Sequence, residues 1–161
     1  MVATLEAGIA MMDVMTDASR LVLLLADMQC RETVLAAADA VDRQDYAALA
    51  ALFTQGATLV RPGAEPLNGR DAIFASYASK NPDRLTQHLV CNHRVQVDSS
   101  GRAQSHCKVL LYVSSKSQEL TAQGRLADSR HQVGQIVDQL VLTADGWRIQ
   151  ERRAWFDLQV I

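Results

Sequence analysis

Three side chains of this sequence could together move a proton: Asp42, His88 and Tyr112. His88 stands in Arg84-Leu85-Thr86-Gln87-His88-Leu89-Val90, where a β-rich run begins that lasts to Val97. Asp42 lies seven residues after Leu35 and four after Ala38, so it continues the apolar stripe of a helix. A carboxylate at the end of such a stripe points toward the core and needs a partner there, because an unpaired buried charge is costly. A histidine on the sheet beneath is the natural partner. The aspartate would then orient the ring through one nitrogen and leave the other to a substrate, as general acid or base. Tyr112 enters through the strand register. If residues 99–101 form a three-residue hairpin loop with Gly101 in its left-handed position, Val97 faces Ala103 and the pairing reaches His88 opposite Tyr112. A cross-strand pair of this kind has its β-carbons about 5 Å apart.

Two structural readings stand beside the chemical one. Asp42 could cap the next helix or close the turn, and a buried Asp–His pair could serve the fold alone. The strand pattern also contains a conflict. Strict alternation puts Leu89, Cys91, His93, Val95 and Val97 on the apolar face, and His88 with Asn92, Arg94 and Gln96 on the other. Either a bulge between His88 and Asn92 changes the alternation, or the concave face is polar at one end. His93, His106 and His131 read as structural or surface residues. No C-x-x-C or H-x-x-x-H occurs, so no metal site is expected. No G-x-G-x-x-G, P-loop or G-x-S-x-G occurs either, so neither a nucleotide cofactor nor serine-elbow chemistry is suggested.

The elements that must position these residues follow from periodicity. Residues 17–42 carry apolar side chains at helical spacing (Leu21, Leu24, Leu25, Met28, Val34, Leu35, Ala38, Val41), as one helix or two with a bend near Asp27. Asp45 is a good N-cap for a helix from Tyr46 to Phe53, which Gly56 stops. Ala57 to Arg61 reads as a strand. Pro62-Gly63 and Pro66 make a turn, and Asn68 caps a third helix that buries Ile73, Phe74 and Tyr77 and ends at Asn81-Pro82. The rest is strand: 85–97, 103–114, 130–143 and 147–160, with a long polar loop from Ser115 to Asp128 and a three-residue turn, Ala144-Asp145-Gly146. Helices first and an antiparallel meander after them predict an α+β domain with its helices on one sheet face. In the last hairpin Asp138 falls opposite Arg152 as an ion pair. Trp147, Ile149 and Trp155 fall on one face, and Ala154, Phe156 and Leu158 on the other. Both faces are thus partly apolar, which predicts a homodimer or homotrimer through the outer face.

The chain of 161 residues suits a single domain, 1–161, with residues 1–16 read as a flexible leader. Its net charge of −2, with no basic block, does not suggest a nucleic-acid partner. The apolar run Leu21 to Ala26 is far short of the roughly 20 residues a membrane span needs. No Lys or Arg precedes Arg20, so a secretory leader is not suggested. Three cysteines, Cys30, Cys91 and Cys107, read as free thiols in a reducing cytoplasm.

Four stretches carry a family likeness. Val41-Asp42-Arg43-Gln44-Asp45-Tyr46 followed by Leu49, Leu52-Phe53 and Ala57 resembles the junction of the first two helices of SnoaL-like proteins. Leu67-Asn68-Gly69-Arg70-Asp71-Ala72-Ile73, Thr86-Gln87-His88-Leu89-Val90 and Asp145-Gly146-Trp147-Arg148-Ile149 follow in the same order, over about residues 20–158. These proteins belong to the nuclear transport factor 2-like superfamily, with scytalone dehydratase and ketosteroid isomerase. The resemblance implies a cystatin-like cone: a curved, mainly antiparallel sheet wrapped around N-terminal helices, with a pocket at the wide end. It also implies cofactor-independent acid–base chemistry on small hydrophobic or aromatic molecules. Asp42 and His88 match the dehydratase branch's catalytic aspartate and one of its histidines, and Tyr112 takes the place of the other. Its two substrate-holding tyrosines fall on Val41 and Arg61, and its polar fifth-strand residues on Gly134 and Ile136. Tyr46, Phe53, Tyr77 and Trp155 complete the expected substrate contacts. The groups that recognise that branch's polyhydroxylated substrate are therefore missing. The expectation is a dehydratase-like lyase or isomerase for a more apolar aromatic or polycyclic compound. The alternative is a non-catalytic ligand binder, or an accessory subunit resembling the β subunit of an aromatic-ring dioxygenase.

Overall fold

The computed structural model describes residues 16–161. The expected leader therefore lies outside the described residues, apart from Thr16, which caps the first helix by accepting the Ser19 N–H at 3.2 Å. That helix, α1, runs unbroken over Asp17–Asp42, so the first two alternatives resolve to one long helix. Only its second half packs fully. Cys30, Thr33, Val34, Ala37, Ala38 and Ala40 are buried, while Leu21, Val22, Leu24, Leu25, Met28 and Leu35 are exposed. Periodicity identified an apolar stripe but not whether the sheet reaches it.

Asp45 caps α2, Tyr46–Ala51, by accepting the Ala48 N–H at 3.0 Å. The helix stops before Phe53, which instead opens β1, Phe53–Val60. Gly56 thus lies inside a strand, and β1 starts four residues earlier than expected. β2 is Leu67–Asn68. Asn68 does not cap the next helix, because its side chain accepts the Thr58 hydroxyl at 3.2 Å across the strand pair. Gly69, at φ +92°, is the N-cap of α3, Arg70–Ala78. Four long strands follow: β3 Arg84–Val97, β4 Arg102–Ser115, β5 His131–Thr143 and β6 Gly146–Val160.

The strands form one sheet in the order β2-β1-β6-β5-β4-β3, antiparallel except for β1 beside β6. It curves around the helices as the expected α+β cone. Alternation of buried and exposed residues is cleanest in β4, where Ala103, Ser105, Cys107, Val109 and Leu111 face inward.

Bulges decide the register where it matters. Near the Gly101 turn (φ +77°) the β3–β4 pairing is the expected one, Val97 with Ala103 through Arg94 with His106. A bulge between Cys91 and Arg94, with Asn92 at φ +50°, then shifts the pairing by one. His88 therefore pairs with Leu111, and Tyr112 pairs with Gln87. The same extra residue removes the conflict in the alternation. Thr86, His88 and Val90 take the less exposed face before the bulge, and His93, Val95 and Val97 take it afterwards. In β5–β6 the central pairs, Gln135–Trp155 through Gln139–Glu151, are as expected, with a bulge at each end. The extra residue Gln150 puts Trp147 and Ile149 on the inner face with Arg152 and Ala154. Trp155, 39% exposed, is on the outer face, not with Trp147 as expected.

Gly134 sits at the other bulge. A β-carbon there would lie 2.2 Å from the Trp155 carbonyl oxygen and 2.9 Å from the Phe156 ring. Both obstacles belong to the paired strand, so Gly134→Ala should push β5 and β6 apart locally. We expect a loss of about 1–3 kcal/mol in urea unfolding. Unchanged stability would mean that this bulge relaxes freely.

Among the described residues no helix is long and apolar enough to cross a membrane, and the three cysteines are unpaired.

Candidate functional site

Helix α1 ends on Asp42, and the turn that follows is anchored to β3. Gln44, held at φ +60°, donates from Nε2 to the carbonyls of Arg84 at 2.7 Å and Pro82 at 3.1 Å. Lys116 donates to its Oε1 at 2.7 Å. This brings the helix C-terminus over Thr86 and His88. The Asp42 carboxylate accepts three hydrogen bonds: the Thr86 hydroxyl at 2.8 Å, the His88 backbone N–H at 2.7 Å and His88 Nδ1 at 2.5 Å. The two side chains are only 13% and 19% exposed. Burial works against the carboxylate charge. The ring, the backbone N–H, the histidine charge and Thr86 outweigh it together, so the Asp42 carboxyl is held below the usual range. The expected Asp42–His88 partnership is therefore present in the geometry, with Thr86 as a third member. With Nδ1 facing the carboxylate, Nε2 makes no hydrogen bond among the described residues. Among the described residues no enclosed side-chain nitrogen or oxygen lacks a partner, so Nε2 is open to solvent space.

That arrangement predicts an acid-linked stability change. The folded-state pKa of Asp42 is depressed. Its contribution is therefore fully present above the unfolded value, about 3.9, and is lost as pH falls through the lower folded value. Asp42→Asn should lower stability at pH 6 and flatten the acid limb of a denaturation series from pH 5 to pH 2. An acid limb identical to that of the wild type would show that Asp42 does not carry this linkage.

A cavity of about 320 Å³ lies between the helices and the inner sheet face, and His88 lines it. Of the other expected contacts, Val41, Arg61, Tyr77 and Ile136 line it too. Trp155 borders it, though its indole N–H turns to Asp157 at 3.0 Å. Three expected residues are elsewhere. Tyr46 packs against Tyr77, with ring centroids 5.7 Å apart. Phe53 is sealed in the core at 1% exposure, beneath the Arg152 guanidinium. Tyr112 stacks on His131, 5.1 Å between centroids, on the strand face away from His88. The bulge at Asn92 is the reason, because a one-residue shift sends the phenol to the opposite face. A more open groove between α1 and β3, past Leu35, Asp39 and Leu89, reaches His88 from the other side. Of the two, the cavity between the helices and the sheet is the less open and would bury more of a small molecule.

The cavity also has members that periodicity did not suggest. Lys80, Arg84 and Arg152 line it alongside Arg61. Lys80 Nζ stands 3.9 Å from the Tyr77 ring centroid, and the Arg61 guanidinium stands 5.2 Å from the same centroid. Arg61 also donates to the Ser76 hydroxyl at 2.7 Å. Burial, followed by the charges of Arg61 and Arg84, pushes the Lys80 ammonium down to about 8. Arg152 is bound on its inner-face neighbour Asp138, Nε to Oδ1 at 2.7 Å and Nη2 to Oδ2 at 2.8 Å, as the strand register predicted. Among the described residues no three His, Cys, Asp or Glu side chains converge as metal ligands.

In sequence, the SnoaL-like domain family matches residues 23–153. No curated protein matches the chain. Among solved structures, an NTF2-like protein with a cystatin-like fold from Novosphingobium aromaticivorans superposes with a TM-score of 0.69 at 19% identity, covering 91% of this chain and 92% of that one. A candidate scytalone dehydratase from the same organism gives 0.70 at 20% identity, over 90% and 91% of the two chains. A candidate aromatic ring hydroxylase, again from that organism, gives 0.66 at 19% identity, over 81% and 88%. At these identities the likeness is one of fold.

Proposed function

From the premise that this chain belongs to the SnoaL-like family, we propose that it is a cofactor-independent, dehydratase-type lyase or isomerase. Its substrate is a small, mostly apolar aromatic or polycyclic compound. The observation that carries this reading is the Asp42–His88 pair, with Nδ1 of the ring on the carboxylate and the ring at the cavity wall. In the neutral ring Nδ1–H donates to Asp42, and Nε2 is left as the base. It removes a proton from the carbon next to a substrate carbonyl. The protonated ring then returns that proton to a leaving hydroxyl in a dehydration, or to another carbon in an isomerisation. The negative charge that develops on the carbonyl oxygen needs a donor. Tyr112 faces away, so Arg61 takes that role. Thr86 and Gln44 are positioning residues: one holds the carboxylate, the other holds the turn that carries it.

The test is a screen of aromatic β-hydroxy ketones and cyclic enones with no metal or cofactor added. Dehydration is followed by the absorbance of the conjugated product, and α-proton exchange by NMR in deuterated water. Activity that depends on His88 supports the reading. Turnover or exchange that is the same in His88→Ala defeats it.

One observation favours the accessory-subunit alternative. The exposed row Leu21, Val22, Leu24, Leu25 and Met28 on α1 would suit a partner surface. A homodimer or homotrimer would also use such surface, and the outer sheet face offers Trp155 and Leu158 as well. Light scattering separates the two. A small homo-oligomer with activity fits the enzyme, and obligatory co-elution with a larger oxygenase chain fits the accessory subunit.

A further inference from the structure

We propose that the substrate is an anion: an aromatic carboxylic acid whose carboxylate docks between Lys80 and Arg84 while its rings extend along the apolar wall toward His88. This rests on the catalytic reading of His88 and narrows its substrate class.

The cavity wall holds four basic side chains, Arg61, Lys80, Arg84 and Arg152, in addition to His88. Two acids stand beside the wall, and both are already committed. Asp138 holds Arg152 through two hydrogen bonds, and Asp42 holds His88. Among the described residues, Arg61, Lys80 and Arg84 have no carboxylate within 4.0 Å. The oxyanion of the proposed reaction needs one of them, Arg61. Lys80 and Arg84 are left without an occupation in the same cavity.

The three come from different elements: Arg61 follows β1, Lys80 follows α3, and Arg84 opens β3. They are therefore not the solvated face of one helix. The fold itself brings like charges together; solvent screens part of that repulsion at the exposed Arg84, and a bound anion would offset the rest. The depressed Lys80 ammonium reflects that crowding as well as its burial. Its place over the Tyr77 ring holds it at the wall instead of leaving it to extend into solvent.

The apolar part of the lining sets the rest of the ligand. Ala37, Val41, Leu59, Val109, Leu111 and Ile136 are apolar. A small inorganic anion would satisfy the cations and leave this wall wet. A neutral ring would cover the wall and leave two cations unmatched. An aromatic acid satisfies both, and charge-assisted hydrogen bonds to its carboxylate would fix which ring carbon meets His88.

The experiment uses 2-naphthoate and its neutral counterpart 2-naphthamide, titrated calorimetrically at pH 7 and low salt, with inorganic phosphate as a third probe. The wild type should bind naphthoate at least about tenfold more tightly than either naphthamide or phosphate. In a Lys80→Gln/Arg84→Gln variant of unchanged melting temperature, the preference for the acid over the amide should fall below about threefold. His88→Ala should keep the full preference. The proposal is overturned if the amide binds as well as the acid, if phosphate equals naphthoate, if neither aromatic probe binds at millimolar concentration, or if the double variant keeps the preference. Failure of the two readings is distinguishable. His88-dependent turnover of neutral ketones with no acid preference removes the carboxylate alone. An intact acid preference with His88-independent chemistry removes the enzyme reading and leaves a binder of aromatic acids.

Discussion

Replacing His88 by alanine is expected to lower turnover by roughly 10²–10⁴-fold, the contribution of a well-placed general base, while the protein stays folded. The structure supports both halves of that expectation. The His88 ring makes one protein hydrogen bond, to Asp42, and borders a cavity, so its loss opens space without collapsing packed core. The carboxylate it leaves behind still accepts the Thr86 hydroxyl and the residue-88 backbone N–H, which an alanine retains. Asp42 would therefore be underpaired, not abandoned. Added imidazole should recover part of the lost rate, because the vacated volume is ring-sized and the Asp42 carboxylate remains to orient a guest. A purely structural histidine predicts the opposite pattern: reduced thermal stability, little change in rate per folded molecule and no rescue. Asp42→Asn separates the roles further. It leaves the base in place but removes the acceptor that holds Nδ1–H, so the rate falls with a smaller change in KM than a contact residue would give.

The Asp42–His88 contact was partly visible in the sequence, and the boundary between seen and unseen has physical causes. Asp42 could be found because a carboxylate that continues an apolar helical stripe implies a buried partner, and the sequence offers His88 at the start of a strand. The geometry brings the two together. Tyr112 was misplaced by one residue. The hairpin register near Gly101 was right, but the bulge at Asn92 shifts every pair beyond it. Alternation hinted at that bulge through the clash between His88 and its apolar neighbours, yet a pattern of period two marks only that a shift exists, not which strand carries it. The same cause moved Trp155 to the outer face, through the extra residue Gln150. Lys80 and Arg84 were not legible at all. Each is an ordinary polar residue beside a helix end or a turn, and only the closure of the sheet brings both to one cavity. On α1, periodicity could not say that Leu21, Val22, Leu24, Leu25 and Met28 stay exposed.

The largest expected change in stability comes from Asp138→Ala, at about 3–5 kcal/mol. Asp138 is fully buried, and the Arg152 side chain is 9% exposed. Their charges cost desolvation energy that only the two parallel hydrogen bonds, at 2.7 and 2.8 Å, offset. Removing the carboxylate strands a guanidinium on the inner sheet face, beside the Phe53 ring and near the cationic cavity wall, with no acid to replace it. Against a total stability of about 5–15 kcal/mol for a domain of ordinary size, such a loss brings the variant close to unfolding at room temperature. The paired substitution Asp138→Leu with Arg152→Met should behave differently. It removes both charges, fills similar volume and needs no hydrogen bonds, so most of the lost stability should return. Urea unfolding of the wild type, both single variants and the pair measures the coupling directly. A single-variant cost below about 1 kcal/mol would place water around the pair and remove the argument from burial. A double variant as unstable as the singles would show that the ion pair holds the β5–β6 register, which hydrophobic packing alone does not restore.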